Sequence, residues 1–355
     1  MIFFDRQELI MVDFFSPPRG TFLSPRPPRP FALASKWARG AIALSFSLAT
    51  ALYATSSRAD ASSLPPEVGY NYGEMETPRI TALGGALRAT SHSTSALYLN
   101  PANMARGDLY RIEAAAQIYP EARRQSYGAA VVDSVISSWQ ISGGFAANWS
   151  LQDPKGVNRR WADIRFGLAI GLGDHIYLGM AGKSLALKQD GTTPLGASEF
   201  DPIDGGLFEK NIVSTVTFDA GLTVVPVPQF AIAVTGHNLT NRKYSYLPMT
   251  GGLGIGFSDK DFSLSADAVI EKRTFEETTF RFMGGGEYLA ANVLAIRAGY
   301  RYDDGLLTHA ISGGLGYVAQ EFSVDASVRH GVSGQRYTAI VFGFTLHIEA
   351  MGVGR

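Results

Sequence analysis

Apolar and polar residues alternate along most of the chain after its first hundred residues. Between Trp161 and Leu172, an apolar residue stands at every second position, separated by Asp163, Arg165 and small residues. The same period of two recurs in about fourteen segments from Leu109 onwards, mostly 10 to 14 residues long. This period predicts β-strands with one apolar face. Soluble strands are usually ~5–6 residues long, whereas tilted membrane strands need ~9–11.

The connections between these strands favour a membrane barrel over a soluble sandwich, the alternative that periodicity alone leaves open. Short connections, such as Gly173-Asp174 and Ser258-Asp259-Lys260, alternate with long ones, such as 189–210, as in membrane barrels. Isolated charges on the polar faces would be costly in lipid but not in a wet lumen. These are Arg165, Lys183, Asp219, Asp267, Glu271, Arg297, Arg301, Asp325 and Arg329. The prediction is an all-β protein, a transmembrane antiparallel β-barrel of about 14 strands.

The first 61 residues are interpreted as a leader and signal peptide. A short basic stretch at Lys36 to Arg39 precedes an apolar run from Gly40 to Ala54, and Ala59-Asp60-Ala61 has the small-x-small pattern of a signal-peptidase site. The alternative is a membrane-spanning helix, but the run is shorter than the ~20 residues that a bilayer requires. Either translation starts downstream of Met1, or the proline-rich first 29 residues form a disordered leader.

Composition narrows the possible chemistry. The chain has no cysteine, a formal net charge of −1 and 46% hydrophobic residues. The absence of cysteine excludes a disulfide scaffold, a thiolate metal site and a thiol enzyme. The near-neutral charge gives no indication of a nucleic-acid-binding surface. The six histidines form no metal-binding spacing and no Gly-x-Ser-x-Gly is present. We expect no enzyme activity, no cofactor, no metal and no nucleic-acid partner.

The segment before the first strand carries a family resemblance. It contains Gly84-Gly85-Ala86, Ser95-Ala96-Leu97-Tyr98 and Asn100-Pro101-Ala102, which resemble the N-terminal hatch of the outer-membrane long-chain fatty-acid transporter (FadL-type) superfamily. Pieces such as Gly286-Glu287-Tyr288 and Gly314-Leu315-Gly316-Tyr317 resemble its PorV-like branch. The resemblance implies a small hatch inside the lumen, at residues 62–107. The barrel would then span 108–349, and a tail 350–355 would follow.

Three departures from the family pattern stand out. Asn103-Met104 replaces the usual Gly-Leu, residues 90–94 lack the usual acidic residues, and the chain ends without a terminal aromatic residue. The last feature bears on recognition by the barrel-assembly machinery, an expected partner.

Two sites follow from the hatch and from the third strand. Pro101 should hold Asn100 outside the helical region, and the Asn100 side chain can then bond the backbone two residues on, at Ala102. This turn is the predicted gate, with an ordinary helix-ending turn as the alternative. Gly143-Gly144 could permit a kink, and the resemblance implies a lateral wall opening there. Alternatively, these glycines only make room for Trp149 or Phe166.

Two functions remain open. The first is passive uptake of hydrophobic small molecules, such as long-chain fatty acids, by hatch movement and lateral opening. The second is a non-transporting scaffold barrel of a secretion system, as in the PorV-like branch. In both cases we expect the protein in the outer membrane of a Gram-negative bacterium after signal-peptide cleavage, in contact with outer-membrane lipid. An apolar pocket near the hatch would favour the first function, and a lumen filled by Arg–Asp pairs the second.

Overall fold

The computed structural model describes residues 75–107, 109–134, 140–152, 159–189, 210–240, 247–272, 277–334 and 336–348. The predicted leader and signal peptide, the first part of the predicted hatch and the tail lie outside these residues, so those predictions remain predictions.

Fourteen antiparallel strands follow one another around a closed barrel, in which β1 pairs with β14. This confirms the predicted strand number and barrel class. The strands are β1 Tyr110–Tyr119, β2 Arg124–Asp133, β3 Ile141–Gln152, β4 Arg159–Leu172, β5 Ile176–Gln189, β6 Lys210–Val227, β7 Phe230–His237, β8 Met249–Ser258, β9 Phe262–Lys272, β10 Thr279–Ala290, β11 Leu294–Asp303, β12 Thr308–Val318, β13 Phe322–Ser333 and β14 Thr338–Ile348.

Alternation along each strand separates an apolar outer face from a buried inner face. On β4, Ile164, Phe166 and Leu168 are 52%, 56% and 51% exposed, whereas the neighbouring Asp163 and Arg165 are each only 2% exposed. A continuous exposed apolar surface of this kind is unsuited to water and has the composition of a lipid-facing band. The predicted inward charges all face the lumen.

The two ends of the barrel differ in their connections. At one end the strands are joined by tight links, such as 173–175, 228–229, 259–261, 291–293 and 319–321. We call it the turn end. Longer connections, such as 190–209 and 238–248, join strands at the opposite end, as the sequence predicts.

Residues 75–107, which we call the plug, fold into three short helices inside the barrel. They are α1 Pro78–Ala82, α2 Ser93–Leu99 and a 3-10 helix, Pro101–Arg106. Thr77 caps α1 by accepting a hydrogen bond from the Ile80 backbone, and a proline opens both α1 and the 3-10 helix, where its missing N–H is harmless. The plug continues through Gly107 to β1 at the turn end.

No helix in the described part of the chain is long and apolar enough to cross a membrane.

Candidate functional site

Glycines on the inner wall let the plug backbone approach the strands closely. A Cβ atom at Gly179 on β5 would lie 2.3 Å from the Ala102 nitrogen, and one at Gly285 on β10 would lie 2.6 Å from the Leu83 carbonyl oxygen. Both distances are shorter than real Cβ contacts, so side chains at these positions would displace the plug. These glycines lie on opposite parts of the wall. The plug therefore fills the lumen from one side to the other.

The predicted gate turn has the predicted local geometry. Asn100 is extended, with φ −154° and ψ 94°, and its Oδ1 accepts a hydrogen bond from the Ala102 backbone N–H at 3.2 Å. The Asn100 Nδ2 group also donates to the Arg88 carbonyl and to Thr223 Oγ1 on β6, both at 2.8 Å. Asn100 thus ends α2, caps the 3-10 helix and ties the plug to the wall.

The turn packs against β5 and β6 rather than directly against Gly143-Gly144. Pro101 and Ala102 pack against Gly179 on β5, and the Asn100 side chain packs against Gly221 on β6. Gly144 lies on β3 instead, where a Cβ atom would be 2.8 Å from the Met104 sulfur.

The β3 ladder runs through both glycines without interruption. Gly143 pairs with Asp133 and Leu168, and the register does not shift at either residue. The pairing therefore shows no bulge at these glycines, and a kink there stays a prediction. Trp149 and Phe166 are not the reason for the glycines either, because Gly144 makes room for plug side chains and Gly143 has open space around its Cβ position. A wall opening at this point remains a proposal.

Apolar packing holds the plug against the wall from β2 to β5. Leu97 and Met104 of the plug are buried against small or branched side chains of the strands. These wall residues are Ala130, Val132, Ala146, Ala169 and Ala181. On this side, therefore, apolar contacts hold the plug to the wall.

Ion pairs hold the plug against the wall from β10 to β13. The Glu76 carboxylate accepts hydrogen bonds from Arg329 Nη1 at 2.7 and 3.0 Å and lies 3.4 Å from Arg301 Nη1. Burial would raise the pKa of Glu76, but the two guanidinium groups outweigh it and lower the pKa to about 2. Glu76 is therefore ionised at neutral pH and pairs with arginines on β11 and β13.

A second ionic chain lies at the turn end of the same wall. Arg79 of the plug donates to both oxygens of Glu287 at 3.0 and 3.2 Å. Glu287 also pairs with Arg297, which in turn pairs with Asp325. On β9, one Asp267 oxygen accepts hydrogen bonds from the backbone N–H groups of Leu87 and Arg88.

Sequence reasoning found the wall charges of these ion pairs except Glu287, but not their plug partners. Glu76, Arg79 and Arg88 fall in a segment that has no strand period, so their partners could not be inferred from alternation. Their signal was the presence of charges in an otherwise small and apolar segment.

In the described part of the chain, two of the cavities adjoin the plug. One of about 40 Å³ lies on the side away from the turn end, and charged residues such as Arg88, Arg165 and Lys183 line it. The other, about 420 Å³, lies at the turn end between the plug and the link from β8 to β9. Neither cavity is the large apolar pocket that a hydrophobic ligand would prefer. Within the described ranges, no cluster of His, Asp and Glu could hold a metal ion.

Solved structures share this fold. The toluene transporter TbuX of Ralstonia pickettii matches 78% of this chain and 100% of its own, with a TM-score of 0.56 and 14% identity. The CymD monoaromatic hydrocarbon channel matches 78% of this chain and 98% of its own, with a TM-score of 0.58 and 14% identity. The Pseudomonas putida toluene transporter TodX matches 80% of this chain and 98% of its own, with a TM-score of 0.53 and 13% identity. At 13–14% identity, these likenesses show that the chain shares the fold of these transporters.

No protein-family model and no curated protein matches the sequence.

Proposed function

We propose that the protein is an outer-membrane channel for passive uptake of hydrophobic small molecules, opened by movement of the plug. The observation that carries this proposal is a plugged 14-strand barrel with the fold of TbuX, a toluene transporter, and CymD, a monoaromatic hydrocarbon channel. Long-chain fatty acids are a second class of substrate, suggested by the sequence resemblance. Because short turns of such barrels face the periplasm, the turn end is placed on that side.

Passage requires the plug to move, because the lumen is filled. Thr90 of the plug and Ser265 of β9 face each other with their hydroxyl oxygens 2.5 Å apart, which suits a disulfide between cysteines. The chain has no natural cysteine to interfere. We expect Thr90→Cys combined with Ser265→Cys to block uptake of radiolabelled toluene or oleate when oxidised, and to restore it on reduction.

A disulfide within the wall provides the matched control. Ser126 on β2 and Ser150 on β3 have hydroxyl oxygens 2.6 Å apart, and cysteines there should cross-link without touching the plug. Uptake should then be normal in both redox states. Full uptake with the plug cross-linked to β9 would contradict plug movement.

The lateral route at Gly143 has a test of its own. Gly143→Val should stiffen β3 without hitting the plug, because nothing lies within 4 Å of its Cβ position. Gly182→Val on β5 is the control, since its Cβ would make only an ordinary 3.5 Å contact with Phe218. Loss of uptake in the first variant alone supports an opening at Gly143-Gly144.

The scaffold function is the second candidate, and the polar lumen is the observation that favours it. Arg165 and Arg88 line the smaller cavity and pair with Asp163 and Asp267. Such a charged lining is a poor path for a hydrophobic molecule. If proteoliposomes carrying the natural protein take up neither toluene nor oleate above empty vesicles, while native membranes yield a stable complex with a secretion component, the scaffold function replaces the channel.

A further inference from the structure

The larger cavity, at the turn end, has a positively charged inner wall. Its outer rim carries Asp259, Lys260 and Asp261, which are exposed on the link between β8 and β9. Its inner wall carries three arginines, Arg79, Arg106 and Arg111, against one carboxylate, Glu287. That carboxylate is shared with a fourth arginine, Arg297, on β11. The inner wall therefore has more positive than negative charge.

Arg106 is the least compensated of these cations. Its Nη1 donates to the Ala89 carbonyl at 2.6 Å, and its guanidinium lies over the Tyr177 ring, 5.8 Å from the centroid. No carboxylate of the described residues pairs with it. Burial lowers the pKa of Arg106, as expected for a cation with little compensating charge. A guanidinium in this position retains hydrogen-bond donors for an anion.

Arg79 contributes a second donor. Its Nε and one Nη bind Glu287, while its other terminal nitrogen, Nη1, is buried and has no hydrogen-bond partner in the described part of the chain. Buried donors without a partner are uncommon, and each one calls for an explanation.

The arginines around the cleft also determine the protonation state of His92. Arg111 Nη1 lies 3.0 Å from His92 Nδ1, and since an arginine can only donate, this ring nitrogen is the acceptor. Burial and the neighbouring charges of Arg79 and Arg111 hold the pKa of His92 well below its usual value. The imidazole is thus neutral, with its proton on Nε2, and adds no charge to the cleft.

We propose that this cleft binds a small oxyanion, a carboxylate or phosphate group, held mainly by Arg106 and by the unpaired nitrogen of Arg79. The site lies at the turn end of the barrel, outside the part of the lumen that the plug fills. The proposal does not require the protein to transport anything. Planar guanidinium groups match the geometry of both anions.

Calorimetric titration of the full protein in neutral detergent tests the site, with inorganic phosphate and hexanoate as probes and chloride at matched ionic strength as the blank. We expect saturable binding of at least one oxyanion. In Arg106→Gln the affinity should fall at least about tenfold, since a lost charge-assisted hydrogen bond costs ~1.5–3 kcal/mol. Arg106→Lys should retain part of the affinity. Arg160→Gln removes the same charge from an exposed position on β4 and should bind as the natural protein does.

A second readout separates binding from a folding defect. Bound anion should raise the pKa of His92, measured by NMR of the imidazole in the natural protein, because a nearby negative charge favours the protonated ring. No saturable heat and no change of the His92 pKa with either probe would overturn the proposal, as would equal affinity of Arg106→Gln and Arg160→Gln. Nanodiscs of phosphatidylglycerol, compared with a phosphate-free neutral detergent and with no probe added, distinguish the source. A His92 pKa already raised in the nanodiscs identifies a lipid phosphate, and equal values in both identify a free anion.

Discussion

The plug is held differently on its two sides. Towards β2 to β5, it buries Leu97 and Met104 among small wall residues, and towards β10 to β13 it is held by Glu76 and Arg79. Apolar contact is non-directional and falls off gradually as surfaces slide. A buried ion pair is directional, and removing one partner leaves the other charge uncompensated. The two sides should therefore respond in different ways to substitution and to pH.

The ionic side should give the largest single effect. Glu76→Gln leaves Arg301 and Arg329 buried without their carboxylate, and losing one partner of a buried pair costs about 3–5 kcal/mol. We expect the plug to detach, with large open-channel currents in planar bilayers, while the barrel keeps its heat-modifiable gel mobility. Glu277→Gln, at an exposed position between β9 and β10, is the control. A closed, silent pore in Glu76→Gln would contradict the ionic anchor.

Acid should weaken the same side. The pKa of Glu76 is about 2 in the folded protein against an ordinary value of 4.5. Because the folded pKa is the lower one, the stabilisation is complete above pH 4.5 and is lost as the pH falls from 4.5 towards 2. A shift of this size corresponds to about 3 kcal/mol. Open-channel probability should rise through this window in the natural protein.

Glu76→Gln is also the reference for the acid experiment, because other buried carboxylates titrate in both proteins. The difference between the two pH profiles isolates Glu76. Parallel profiles would show that other groups carry the acid response.

The barrel could be predicted from the sequence because the alternation of apolar and polar residues along a strand is a local pattern. Alternation such as that from Ala162 to Leu172 assigns every side chain of a strand to one face, and chain order then fixes antiparallel neighbours. The inward charges, including Asp219 and Arg329, followed from the same rule.

The plug could not be predicted to the same depth, because its contacts are long-range. Pairing of Glu76 with Arg329 joins residues 253 positions apart, and no period links them. The Asn100 turn was predictable since its bond to Ala102 spans two residues. Which wall strand it would contact depends on how the whole barrel closes, so its position beside Gly179 and Gly221 was missed, as was the role of Gly144 beside Met104.

The apolar side should give a smaller effect, and β5 offers a matched pair of glycines to measure it. Gly179→Ala places a Cβ atom 2.3 Å from the Ala102 nitrogen, a backbone atom that cannot rotate away, whereas Gly182→Ala makes only a 3.5 Å contact with Phe218. Overpacking of this kind typically costs 1–3 kcal/mol. We expect Gly179→Ala to loosen the 3-10 helix and increase proteolysis of the plug, with modest channel opening, while Gly182→Ala matches the natural protein. Because the ion pairs of Glu76 stay in place, Gly179→Ala should open the channel less than Glu76→Gln does. Larger currents in the glycine variant would show instead that close packing against β5, and not the ionic side, is the main attachment of the plug.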